Sequence, residues 1–283
     1  MALNKEAWVQ DIIEALTKGA TFVSRMKNLD SYVSNNLLRF ANEGAAPVVY
    51  KNPTTLPLTP AQRIDGEIIT MLDQYVTQPT LITDLESHSL SYDKRQSVMG
   101  QHYRRLVDNL GDGVFAKLFA GNTGATGAVT TPTPVYTIPA GETLSYKHMV
   151  KIAGIFNSKN ISQDNRHIEL PSDMFDELLL DENIFKLYIS GMAAVRDGEE
   201  AVLRVAGINV HSRSTVASSG GKTAAFAYQS DAVGVCKGDT EFMSDSGDNG
   251  NGNPLWVGSI VNGIQWFGSV VLRPEGTLAV VRG

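Results

Sequence analysis

The sequence has one cysteine, Cys236, in 283 residues. An internal disulfide is therefore impossible, which excludes secreted disulfide frameworks and four-cysteine zinc sites. Long apolar runs are also missing. The longest candidate, residues 256–272, is broken by Ser259, Asn262, Gln265 and Ser269 and falls short of the roughly 18 apolar residues of a membrane helix. The N-terminus lacks the basic start and apolar block of a secretory signal. These absences predict a soluble protein made in a cytoplasm, with no membrane partner. An excess of positive charge is lacking too: 24 Lys plus Arg stand against 30 Asp plus Glu, a formal charge of −6. That excludes a strongly basic nucleic-acid clamp.

Signatures of chemistry are equally scarce. Gly221-Lys222-Thr223 ends like a phosphate-binding loop, but Val216 fills the position of its first glycine, so a polar turn between strands is the better reading. Gly247 to Gly252 has no preceding buried strand opening into a helix, and Trp256 stands where a calcium loop would close with Glu; it reads as a solvated loop. The histidines His88, His102, His148, His167 and His211 never form a ligand pair on one helix, and no nucleophile elbow is present. No catalytic residue, cofactor or metal is expected, and Cys236, after Val233 and Val235, is expected in the core.

What is present is 42% hydrophobic and 19% charged, enough for a packed core. Residues 5–18 place Trp8, Ile12, Ile13 and Leu16 at helical spacings. Residues 21–44 are mixed and read as an arm that needs a surface to lie on. From Pro47 to Thr83, prolines at 47, 53, 57, 60 and 79 exclude a long helix and central strands. An excursion leaving the body at Val48 and returning near Ile82 fits, with residues 59–66 near its tip. Its apolar residues Leu56, Leu58, Ile64, Ile68 and Leu72 would stay wet unless another chain covers them. Residues 92–120 carry the longest helical stripe, Met99, Tyr103, Leu106, Leu110, Val114 and Leu118, with a kink expected at Gly111 and Gly113. Lys94, Arg95, Arg104 and Arg105 are basic positions of that helix, and Lys94 and Arg105, eleven residues apart, share a face, either solvated with Asp93 and Asp108 as partners or in contact with a neighbouring subunit's acidic surface or packaged nucleic acid.

Residues 121–141 read as a Gly/Thr/Pro-rich loop, 144–157 as a helix, 167–170 as a strand, and 171–180 as a helix opened by Pro171. Further strands are expected over 202–210, 224–229, 256–261, 264–272 and 277–281. Asn262-Gly263 reads either as a hairpin turn or as a bulge in one longer strand.

This order of parts resembles the major capsid proteins of tailed bacteriophages, the Hong Kong 97-like fold. Ser91-Tyr92-Asp93-Lys94-Arg95-Gln96-Ser97 with His102 is similar to a run in capsid proteins of Bacteroides-type phages. Ala232-Val233-Gly234 through Trp266-Phe267-Gly268-Ser269-Val270-Val271-Leu272-Arg273-Pro274-Glu275 is similar to the family's closing strands. The resemblance implies an α+β fold with an N-terminal arm (1–47), an extended E-loop (48–84), a peripheral domain with a spine helix (85–144 and 263–283) and an axial domain (145–262). It implies a non-enzymatic shell subunit of the virion, assembled in the host bacterial cytoplasm as hexamers and pentamers around double-stranded DNA held by weak non-specific contact. A portal and separate scaffolding or decoration proteins are implied partners. Candidate intersubunit residues are Trp8, Ile12, Leu56, Leu58, Arg63, Ile64, Ile68, Lys94, Arg95 and Arg105. The absence of Lys between Asn52 and Asp93 argues against the covalent crosslinking of some relatives. The alternatives are an encapsulin-like nanocompartment shell and a β-rich phage fibre or carbohydrate-binding protein.

Overall fold

The computed structural model describes residues 21–42, 47–52, 54, 57–83, 94–121, 133–184, 203–214, 216–219, 221–245 and 258–283. The expected helix over 5–18, Trp8, Ile12, Leu56, most of the 121–141 loop and the 247–252 loop lie outside these residues. In chain order the elements are the helical turn α1 (Thr21–Ser24), β1 (Lys27–Asn28), β2 (Val33–Ser34), β3 (Leu37–Asn42), β4 (Gly66–Met71), β5 (Asp73–Val76), β6 (Thr80–Thr83), the helix α2 (Lys94–Ala120), β7 (Val135–Ile138), α3 (Tyr146–Ser158), β8 (Arg166–Pro171), α4 (Ser172–Leu180), β9 (Leu203–Val205), β10 (Ile208–Arg213), β11 (Ala217–Ser219), β12 (Lys222–Gln229), β13 (Val233–Asp245), β14 (Gly258–Val271) and β15 (Thr277–Arg282). The fold is α+β, as expected.

A mixed seven-stranded sheet runs β7-β15-β12-β8-β10-β9, with β11 hairpinned onto β12. Its alternate side chains go to two different interiors. Ile168 and Leu170 of β8, Val210 of β10, Ala225 and Ala227 of β12, and Leu278 and Val280 of β15 pack against Met149, Ile152 and Phe156 of α3 and Met174 and Leu178 of α4. These helical residues recur at steps of three and four, which lays one apolar stripe on the sheet. The other face, with Phe226 and Tyr228, packs against Phe22 and Met26 of the arm and Leu110, Val114, Phe115 and Leu118 of α2. The strand expected over 202–210 is a hairpin instead. Ala206 and Gly207 take φ of +50° and +82°, the two left-handed residues of a tight turn joining β9 to β10. Gly221-Lys222-Thr223 lies where β11 turns into β12: Gly221 has φ of +78° and the Thr223 hydroxyl donates to Asp173 at 2.6 Å, the polar turn expected.

The second sheet centres on β14, with β13 and then β1 on one side and β5 and β6 end to end on the other. Asn262-Gly263 is neither a turn nor a bulge: β14 continues through it, with Met243 opposite Asn262 and Phe242 opposite Gly263. Thr77, between β5 and β6, secures the spot by donating its amide to the Gly263 carbonyl at 3.0 Å and accepting the Gly263 amide at 3.0 Å. The register slip falls in β13, between Lys237 and Thr240. β13 pairs with β14 in the sheet that packs on α2, while β15 pairs with β12 and β7. The cause is alternation: Leu278 and Val280 fit only the core beneath α3 and α4.

β3 and β4 form an antiparallel hairpin, with Leu37 opposite Met71 and Asn42 opposite Gly66. The paired strands of this hairpin begin at Leu37 and end at Met71. Ile68 and Leu72, expected to stay wet, are buried with Leu29, Leu38, Cys236, Val270 and Leu272 of their own chain. The arm segment supplies the apolar partner that the sequence reading assigned to another subunit. Cys236 sits in that cluster, where burial and then the Asp30 charge push its thiol up to about 12; it is an inert core residue.

The helix α2 spans about 40 Å at 1.5 Å per residue and is unbroken through Gly111 and Gly113. These glycines permit close approach. A Cβ at Gly111 would strike the Arg213 guanidinium, and one at Gly113 the Tyr75 hydroxyl, whereas Gly100 has nothing nearby. Gly100→Ala is expected to raise stability by up to ~1 kcal/mol through helix propensity. Gly113→Ala should lower it by about 1–3 kcal/mol through overpacking, as thermal unfolding of the two variants will show.

Candidate assembly surfaces

Beyond β3 and β4, the described residues of the hairpin carry exposed apolar side chains. Val49 is 90% and Ile64 82% exposed, and Val48, Tyr50 and Leu58 are exposed beside them. Arg63 and Asp65 close a two-pronged ion pair on themselves, Nε to Oδ1 at 2.7 Å and Nη2 to Oδ2 at 2.9 Å. Their charges are satisfied locally, so Leu58 and Ile64 are what the tip presents outward. Of the candidate residues, Leu58, Arg63 and Ile64 share this tip, Ile68 belongs to the interior, and Lys94 and Arg95 open α2 with side chains outside the described set.

Arg105 stands elsewhere, on the exposed face of α2 beside Arg104. The two border a cleft of about 940 Å³ between α2 and the β5–β6 edge, lined also by Gln74, Gln78, Gln101 and His102. No Asp or Glu is among its lining residues. Among the described residues neither arginine forms an ion pair. The His102 Nε2 is buried without a hydrogen-bond partner, and burial lowers that imidazole's pKa. The cleft is thus cationic in an acidic chain.

A third feature is internal. Glu169 projects from β8 toward the arm, its side chain 2% exposed, and accepts Arg25 Nη2 at 2.9 Å and the Tyr228 hydroxyl at 3.2 Å. Beside it, His167 Nδ1 and His211 Nε2 lie 3.1 Å apart. Rings continue the contact outward: Tyr228 stacks on Phe226, Phe226 meets Phe115, and Phe115 meets Phe22. Arg213 lies over Phe22 and Phe115 and reaches Asp112 of α2 at 3.1 Å. Arm, long helix and seven-stranded sheet are joined here. Sequence reading missed this cluster because it sought histidine pairs along one helix. The available signal was alternation: Arg166-His167-Ile168-Glu169-Leu170 is a strand whose polar side is also buried. Among the described residues no group of three or more His, Cys, Asp or Glu could hold a metal ion.

No known family profile matches the chain, and no curated protein matches it. By structure it is similar to the capsid of cyanophage P-SCSP1u, at 18% identity over 92% of this chain and 86% of that one, with a TM-score of 0.67. It is similar to a Mycobacterium phage Che8 chain at 12% identity, over 92% and 90% of the two chains, with a TM-score of 0.64. A virus-like particle from Pyrococcus furiosus matches at 8% identity over 98% and 99%, with a TM-score of 0.61.

Truncating Arg25 tests the internal joint. Arg25→Met leaves Glu169 buried without its cation and should cost about 3–5 kcal/mol, read as a fall in the denaturant midpoint of the full chain.

Proposed function

We propose that this chain, which has the Hong Kong 97-like capsid fold, is the major capsid protein of a tailed bacteriophage, a structural and non-enzymatic component of the virion. The observation that carries the reading is the β3–β4 hairpin: Leu38 and Ile68 close its base against the body, while Val49 and Ile64 toward its far end are exposed, with no cover among the described residues. Such a surface loses its exposed apolar area only between copies, so repeated moderate contacts replace one deep cleft. In this reading the copies form the hexamers and pentamers of an icosahedral shell. A portal and separate scaffolding or decoration proteins complete it. The described arm runs to about residue 36, the E-loop from 37 to 71, and the helix α2 is the spine. Kinship with capsid proteins of Bacteroides-type phages is a finer proposal resting on the 91–97 run and His102.

The excess of acidic side chains keeps the subunit from binding DNA strongly, and the Arg104–Arg105 cleft is the surface we assign to weak, non-specific contact with packaged DNA. A second reading, a nanocompartment shell, draws support from the nearly complete mutual coverage with the virus-like particle. Purified particles holding nuclease-protected DNA support the phage reading; an enzyme cargo in its place supports the compartment.

Because Asn42 and Gly66 are paired neighbours, residues 43–65 can be replaced by a two-residue turn without disturbing β3 or β4. This is a better cut than 53–79, which would remove buried Ile68 and Leu72. The shortened chain is expected to fold and to form no shells by negative-stain imaging; normal particles would refute the hairpin's role. Reversing Arg104 and Arg105 to Glu should leave shells intact and lower the salt at which they release DNA, whereas loss of shells would assign both residues to a neighbouring copy.

A further inference from the structure

The shell reading makes no use of the histidine pair. His167 and His211 occupy adjacent parallel strands, β8 and β10, with rings stacked at 5.3 Å. At 3.1 Å between Nδ1 and Nε2, one nitrogen donates and the other accepts, an arrangement that two protonated rings cannot keep. The His211 Nδ1 is buried without a hydrogen-bond partner. Around the pair lie Arg25 of the arm, whose charge acts on both rings, Glu169, opposite His211 across the β8–β10 pairing, and Tyr228, whose ring centroid is 5.7 Å from that of His167; Arg213, two residues beyond His211 in β10, pairs with Asp112 of α2. Arg25 is paired with Glu169 and Arg213 with Asp112, so protonating either histidine adds a positive charge beside groups that are already matched. Of these groups, only Arg25 lies on a segment with little regular structure of its own.

We propose that the His167–His211 pair is an acid-operated latch on the arm: protonating it drives the Arg25 cation off Glu169 and frees residues 22–29 from the sheet. Burial first, and the nearby Arg25 charge second, push His167 down to about 4 and His211 to about 3. A histidine with a lowered folded pKa stabilises the closed form fully above its ordinary value near 6.5. That contribution is lost as pH falls through this value toward the folded pKa, because the released form takes up protons first. Between pH 7.5 and pH 5, each histidine that regains its ordinary pKa shifts the latch about thirtyfold toward release.

Hydrogen exchange on the full chain tests this, with rates corrected for the intrinsic pH effect. The reporters are the Arg25, Met26 and Leu29 amides, bonded to the carbonyls of Phe22, Val23 and Val235; α3 amides are the control. Protection at the reporters should fall about thirtyfold or more from pH 7.5 to pH 5 while α3 keeps its own. In His167→Gln/His211→Gln that fall should vanish. Equal responses in arm and α3, or a full fall in the double variant, would overturn the proposal. Should the variant not fold, imidazole NMR on the unmodified chain decides: both rings should remain neutral until the arm amides open, and titration near 6.5 with the arm still protected would refute the latch.

Discussion

Glu169 is a carboxylate buried to all but 2% of its side chain, and the placing of the arm follows from neutralising it. A buried anion is tolerated only when paired and hydrogen-bonded. Its own sheet supplies the Tyr228 hydroxyl, but the cation comes from Arg25, 144 residues earlier. The sheet cannot close this face by itself. The arm must lie across it, and Phe22, Met26 and Leu29 then fill the apolar space on either side of the ion pair. This accounts for order in a stretch of sequence with neither helical nor strand periodicity of useful length.

The hairpin follows a different balance. Its base is completed by the arm, because Leu29, Leu38, Ile68 and Leu72 meet over Cys236 and Val270. Among the described residues its tip has no such partner. Within the proline-rich stretch it is the tip, at Val49 and Ile64, that carries the most exposed apolar side chains. The base contributes to the stability of the subunit, while the described tip residues keep apolar surface whose burial would be favourable. Arg63 and Asp65 neutralise each other there, so association at the tip need not remove an unpaired charge from water.

Several elements were legible in the sequence because one face of each is wet or one period dominates. The stripe in α2, the helix α3, the Pro171 boundary of α4 and the β12 and β15 strands all follow from spacing. β13 escaped notice because Lys237, Gly238 and Asp239 interrupt it at the register slip. β5 and β6 were hidden by Pro79, which falls between them and breaks neither. The ends of α2 and the basic Arg104–Arg105 face could be read from local sequence. The joint could not, since Arg25, Glu169, Tyr228 and His211 share no local pattern and meet only when two strands and the arm are placed. Polar residues in a strand suggest a solvated face, and here both faces are covered.

Glycine gives that placement its precision. The parallel pairing of β1 sets Lys27 opposite Gly234, and a side chain at Gly234 would run into Leu29. At Gly238 it would meet Leu72 and Trp266, and at Gly268 it would crowd Cys236 and Leu72. The central sheet is thus notched where the arm and the hairpin base cross it, just as α2 is notched at Gly111 and Gly113 for Arg213 and Tyr75. Hydrophobic burial alone would hold these segments against the sheet in many registers. Notches that admit Leu29 and Leu72 at fixed positions select one, and they fix where the hairpin departs from the body. The direction in which the exposed tip projects is therefore decided inside the subunit, before any neighbour is met.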